Sequence, residues 1–115
     1  MRQLKRSECA ILPLVLKRKW YDMISSGEKR EEYRDDKPHW RTRIKRWRSA
    51  QSHGWDEMDK NKFLVIGFSC GYRKSDMFFL SHMTDLRDYP LHPEWGEPET
   101  PHYALVLRER VEIAD

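Results

Sequence analysis

Apolar and polar residues change phase several times along the chain, and each change predicts a structural element. Ile11-Leu12-Pro13-Leu14-Val15-Leu16 is a short apolar run of the kind that forms a buried strand, with Pro13 placing its start near a sheet edge. Over residues 17–26 the period lengthens, and Leu16, Trp20, Met23 and Ile24 fall on one stripe of a short helix. Gly27 is a good stop for that helix, because glycine takes the left-handed conformation without a Cβ penalty. A charged strand over residues 29–34 follows. Asp35-Asp36-Lys37-Pro38 then breaks the pattern and predicts a helix start, with Asp35 or Asp36 as the cap and Pro38 in the first turn. Trp40, Ile44 and Trp47, spaced i, i+4 and i+7, form one face of a helix running to about Ala50.

The second half is read in the same way. Residues 49–61 are polar and predict a loop. Residues 62–72 contain Phe63-Leu64-Val65-Ile66-Gly67-Phe68, apolar on both faces, as in a strand covered from both sides. Gly71-Tyr72-Arg73-Lys74-Ser75 predicts a turn into a strand over 76–82. Residues 84–100 are acidic and rich in proline, a long excursion for which Tyr89 and Trp95 are the candidate pins. Residues 102–113 predict the closing strand, with Tyr103, Leu105 and Leu107 on one face and Ala104 and Val106 on the other. Residues 1–8 are polar and read as a loose arm, leaving a core over about 11–113. No internal repeat interrupts this order. The whole is an α+β pattern, a small β-barrel of about five strands carrying two or three helices, in one domain over 1–115.

Composition adds an asymmetry. Charged residues make up 36% of the chain, and its net charge is +3. Residues 1–50 hold fifteen Lys/Arg against seven Asp/Glu, whereas residues 51–115 hold seven against twelve. A basic half beside an acidic half predicts a positive face, and hence an anionic partner. Five tryptophans argue against disorder throughout. Cys9 and Cys70, with no secretory leader and no apolar run long enough for a membrane span, predict free thiols in a cytoplasmic protein. The five histidines are scattered and no Cys-x-x-Cys pair occurs, so neither a metal site nor a cofactor is expected.

The candidate chemistry lies in residues 27–34, read as Gly-x-Lys-x-x-Glu-x-Arg. Gly27 lets the chain reverse after the helix. On the strand that follows, alternation directs Glu32 and Arg34 to one face and Glu31 and Tyr33 to the other. Lys29, at the strand entrance, is placed to join the Glu32–Arg34 face. A Lys, a Glu and an Arg on one cleft are suited to holding an anion, orienting a polar base edge or supporting proton transfer. An edge strand blunted by charges and cross-strand ion pairs has the same pattern.

The segment over 14–34 resembles the opening of an ASCH domain of the PUA-like superfamily. In that family a strand and a helix ending Ile-x-Ser-Gly-x-Lys lead into the same signature, and Gly27, Lys29, Glu32 and Arg34 match its four positions. The Gly71-Tyr72 strand end and the final Tyr-x-Leu-x-Leu strand agree in kind. The resemblance implies a barrel whose signature residues line a cleft binding RNA, a nucleotide or a modified nucleoside. One small branch of the family hydrolyses an acetylated cytidine with a Lys and a Thr. Lys29 matches that Lys, but Glu32 stands where the Thr would be. A hydrolase reading therefore has Glu32 activating water and Lys29 holding the oxyanion.

Other residues join this picture with plainer alternatives. Lys17 lies at the strand-to-helix junction, where a cation is slightly unfavourable at a helix N-terminus, and is a candidate for the same cleft. Tyr72 and Arg73 occupy a turn where a ring can stack on a base. Arg41, Arg43, Lys45, Arg46 and Arg48 form a basic helix face able to track phosphates, while Trp40 and Trp47 are expected to be buried. Glu94, Glu97 and Glu99 are conceivable acid partners of Lys29. A protein-interaction module that recognises an acidic partner remains the third class, and the oligomeric state is open.

Overall fold

A computed structural model describes residues 2–50, 62–71 and 77–114 of the chain. The strands are β1 (Arg2–Lys5), β2 (Cys9–Leu16), β3 (Glu31–Asp35), β4 (Phe63–Cys70), β5 (Phe78–Arg87) and β6 (His102–Ala114). Two helices, α1 (Arg18–Ser26) and α2 (Pro38–Ser49), flank β3 in sequence. Short 3-10 turns occupy Arg6–Glu8 and Pro93–Trp95.

The longest strand, β6, organises the mixed sheet. One edge of it pairs antiparallel with β5 along nearly its whole length. The other edge is shared, with β3 antiparallel against His102–Val106 and β1 parallel against Val111–Ala114. The sheet continues from β5 to β4 and ends at β2, which pairs with β4 in parallel. Pro13 therefore sits on an edge strand, where its missing N–H is tolerated. The six strands form an open sheet; the described residues do not close it into a barrel.

Both faces of β4 are covered, as its double-sided apolar pattern requires. Ile66 and Phe68 join Leu12, Leu14, Leu105, Ile24 and Ile44 in the main core. Val65 faces a smaller cluster with Leu4, Cys9 and Val111. Gly67 lies where three side chains converge: a Cβ there would come within 3.0 Å of Met77 and 3.1 Å of Phe79. Trp47 is buried, and its indole N–H donates to the Ala10 carbonyl at 2.9 Å, which ties α2 to β2.

Four sequence expectations are corrected. Residues 1–8 are no loose arm, because Leu4 is buried and β1 extends the sheet beside the end of β6. The core accordingly reaches beyond 11–113 to take in Leu4 and Cys9. β5 runs to Arg87, so the excursion is confined to residues 88–101. The polar residues at the end of β5 do not mark the end of pairing: Asp85 is exposed, and Arg87 is held by Glu31 and Glu97. Neither Asp35 nor Asp36 caps α2: Lys37 is the N-cap, and the Asp36 carboxylate instead accepts from Arg41 Nε at 2.9 Å. The expected loop over 49–61 lies, apart from its first residues, outside the described residues.

Candidate functional site

The functional candidates are positioned by the turn between α1 and β3. Gly27 adopts φ 86° and its N–H donates to the Ile24 carbonyl, closing α1. The Lys29 N–H then donates to the Met23 carbonyl at 2.9 Å, and the Arg30 carbonyl accepts from the Leu107 N–H at 2.9 Å. Lys29 is thereby held against the end of α1 two residues before regular pairing of β3 begins.

From there Lys29 reaches Glu32. Its Nζ donates to Glu32 Oε1 at 3.0 Å and lies 4.0 Å from the centre of the Trp20 ring. Glu32 Oε1 also accepts from the Tyr33 N–H at 3.0 Å, and Oε2 stands 3.4 Å from Arg34 Nη1. Lys29 and Glu32 are only 2% and 5% exposed. Burial pushes the Lys29 ammonium below the usual lysine range. Glu32 opposes that shift, while the charges of Arg34 and Lys19 add to it.

Above this buried pair opens a cleft of about 360 Å³. Lys17, Lys29, Glu32 and Arg34 all line it, so the structure brings these four predicted residues together. Its walls are Trp20, Trp40 and Trp95. The Arg34 guanidinium lies 5.0 Å from the Trp40 ring centre, and Arg43 lies at 4.9 Å. Trp95 stacks on His92 at 4.2 Å. Gly96 presses so closely on Trp20 that a Cβ would approach the ring to 3.0 Å, at a φ of +79° that already favours glycine. The excursion over 88–101 thus supplies one side of the cleft.

Comparison with family models, curated proteins and solved structures gives no match for the chain.

The remaining predicted residues lie elsewhere. Gly27 faces the opposite side of the turn. Tyr72 and Arg73 fall outside the described residues. Arg41 is paired with Asp36, and Lys45, Arg46 and Arg48 are exposed on α2 without lining the cleft. Arg43 reaches the cleft only through Trp40. Glu97 is not a partner of Lys29, because its carboxylate is taken by Arg87, His102 and two backbone N–H groups. Trp40, expected in the core with Trp47, is half-buried and serves the cleft as well. Sequence reasoning missed the tryptophan walls. The sequence places Trp20 only in a helix stripe and Trp95 only as a pin; Trp20 directly follows Lys17-Arg18-Lys19, which was an available signal, whereas Trp95 stands in an acidic stretch that carries none. Among the described residues no three His, Cys, Asp or Glu side chains gather as metal ligands.

Proposed function

We propose that this cleft binds a nucleotide unit, either within an RNA strand or as a free nucleotide or modified nucleoside, in the manner of an ASCH-type, PUA-like domain. The observation that carries the reading is one cleft with three indole walls, in which Lys17, Lys29 and Arg34 stand against Glu32 and Asp35 and leave a net positive charge. A base is planar and stacks on indole, each stacked base contributing about 1–3 kcal/mol. Its phosphate is an anion for which Lys17 and Arg34 offer charge-assisted donors. The resemblance of residues 14–34 to the ASCH opening supports the same assignment. The exposed basic face of α2, next to Trp40, extends the positive surface on which further phosphates can lie.

Hydrolysis of a modified nucleoside is the second reading, favoured by a lysine of lowered pKa in a cleft. Glu32 would take a proton from water, the hydroxide would add to the acyl carbon, and the departing amine would take the proton back. The geometry ranks this below binding. Glu32 Oε1 already accepts two hydrogen bonds and Oε2 faces Arg34, leaving little of the carboxylate for water.

Quenching of tryptophan fluorescence by the four nucleoside monophosphates and by a mixed-sequence hexaribonucleotide tests the proposal. Trp20→Ala is expected to weaken binding about 5- to 100-fold, as the loss of one stacked base implies. Arg34→Ala should weaken it in a salt-dependent way. Absence of binding, or binding indifferent to both substitutions, overturns the reading. Release of free acid from an acylated cytidine, lost in Glu32→Gln, would instead establish the hydrolase.

A further inference from the structure

Behind the Gly27 turn lies a second groove, of about 420 Å³, whose chemistry differs from that of the tryptophan cleft. Its floor is apolar, built from Ile24, Phe78, Leu80 and Leu107, and its rim carries Arg30, Arg108 and Arg110. Among the described residues no Asp or Glu lines it. All three arginines are exposed, and none forms an ion pair among the described residues. Arg110 lies over the Phe78 ring at 4.5 Å, and Arg108 donates to the Met83 sulfur at 3.4 Å. Three guanidiniums around one groove repel each other, and an anion is what relieves that repulsion.

The sheet is irregular at this place. Between Leu80 and His82 the β5–β6 pairing shifts, so that a step of two on β5 matches a step of three on β6, from Arg110 to Leu107. Strict alternation would send Leu107 and Arg108 to opposite faces. The shift re-aims this stretch, and Leu107, Arg108 and Arg110 all reach the same groove. On the other side, consecutive residues serve the two concavities: Lys29 Nζ is directed to Trp20 and Glu32, while Arg30 is on the arginine rim. Lys29 itself lines both.

We infer that the Arg30–Arg108–Arg110 groove is a phosphodiester subsite for the strand whose base occupies the tryptophan cleft, which makes single-stranded RNA the ligand rather than a free nucleotide. This rests on the proposed function of the cleft. Guanidinium forks match phosphate oxygens in geometry as well as charge, and a groove that tracks a backbone beside a stacking platform is how single strands are held. An acidic peptide would satisfy the arginines but leave the tryptophan walls on the other side of the turn without a partner.

Fluorescence anisotropy of a labelled mixed-sequence hexaribonucleotide, beside nucleoside monophosphate binding, decides the matter. Arg108→Ala/Arg110→Ala is expected to weaken the hexamer about tenfold at low salt and to reduce the salt slope by about 1.4, the share of two phosphate contacts on a single strand. Monophosphate affinity should be unchanged. Should the double variant lose monophosphate binding through misfolding, Arg30→Gln replaces it, with the same hexamer-specific loss expected. A hexamer affinity and slope indifferent to these substitutions overturn the subsite while leaving the cleft reading intact. Binding of neither probe by the unaltered protein overturns both, and tight binding of polyglutamate in their place assigns the groove to an acidic protein.

Discussion

Two clusters of buried charge sit on opposite faces of β3, and only one of them opens to a cleft. On one face Glu31 accepts from Tyr33 Oη at 2.9 Å and from both terminal nitrogens of Arg87 at 2.7 and 2.9 Å. Arg87 passes on to Glu97 at 3.1 Å, and Glu97 to His102 at 2.6 Å. The backbone N–H groups of Leu91 and His92 fill the other Glu97 oxygen. The His102 ring lies between two oxygens, the Glu97 carboxylate at Nε2 and the Thr100 carbonyl at Nδ1. Every group in this cluster is answered from within the protein. On the other face, Lys29, Glu32 and Arg34 satisfy one another but stand at the floor of a cleft lined with tryptophan. A closed network of this kind holds structure in place, and an open one is available to a ligand.

The closed cluster predicts the largest effect. Glu97→Ala removes the anchor of the excursion, leaving Arg87 without one of its counter-charges and His102 Nε2 without its hydrogen-bond partner. Breaking one partner out of a buried pair costs about 3–5 kcal/mol. Urea denaturation should show that loss, and Trp95 fluorescence should shift toward that of an exposed indole as the cleft wall detaches. A loss below about 1 kcal/mol would mean that the excursion is held by other contacts, and that the two clusters do not differ as described.

The open cluster predicts the reverse. Replacing both members of a buried ion pair by neutral groups of similar size is often neutral or stabilising, because the desolvation penalty disappears with the charges. Lys29→Met/Glu32→Gln is therefore expected to leave stability within about 1 kcal/mol of the unaltered protein. Gln retains an acceptor for the Tyr33 N–H, and Arg34 can turn to the solvent of the cleft. Nucleotide binding should be lost in the same variant. A large loss of stability would place this pair with the structural network and weaken its claim to function.

What was legible in the sequence was local. The helix stripe ending at Gly27, the double-sided strand at Phe63–Cys70 and the grouping of Lys29, Glu32 and Arg34 follow from periods of 3.6 and 2 within a few residues. What was not legible depends on partners far away in the chain. β1 is a strand only because the last residues of β6 are there to pair with it. Glu97 reads as one more acid in an acidic stretch until Arg87 and His102 fold onto it, and Arg87 meets Glu31 across 56 positions. Closure of a barrel also depends on long-range pairing, and the open sheet shows that an early apolar strand and a late one need not meet.

The smallest predicted effect separates the two clusters from a third buried group. His82 packs on Trp47 at 4.4 Å, its Nε2 meets Thr84 Oγ1 at 2.9 Å, and its Nδ1 is buried without a hydrogen-bond partner among the described residues. Burial, reinforced by the Arg48 charge, lowers its pKa from 6.5 to about 4. As pH falls below 6.5 the unfolded chain takes up this proton first, so stability declines from there down to about 4 and no further on this account. For Glu97, burial works against ionisation, but hydrogen bonds from His102, His92, Arg87 and Leu91 outweigh it and bring the carboxyl from 4.5 to about 2. Its stabilisation is present above 4.5 and is lost as pH falls toward 2. Melting temperatures measured across both windows should therefore fall in two stages. His82→Leu is expected to flatten the upper stage and leave the lower one. If the lower stage flattens instead, the acid sensitivity comes from the region around His82, and the closed network around Glu97 is not what acid unlocks.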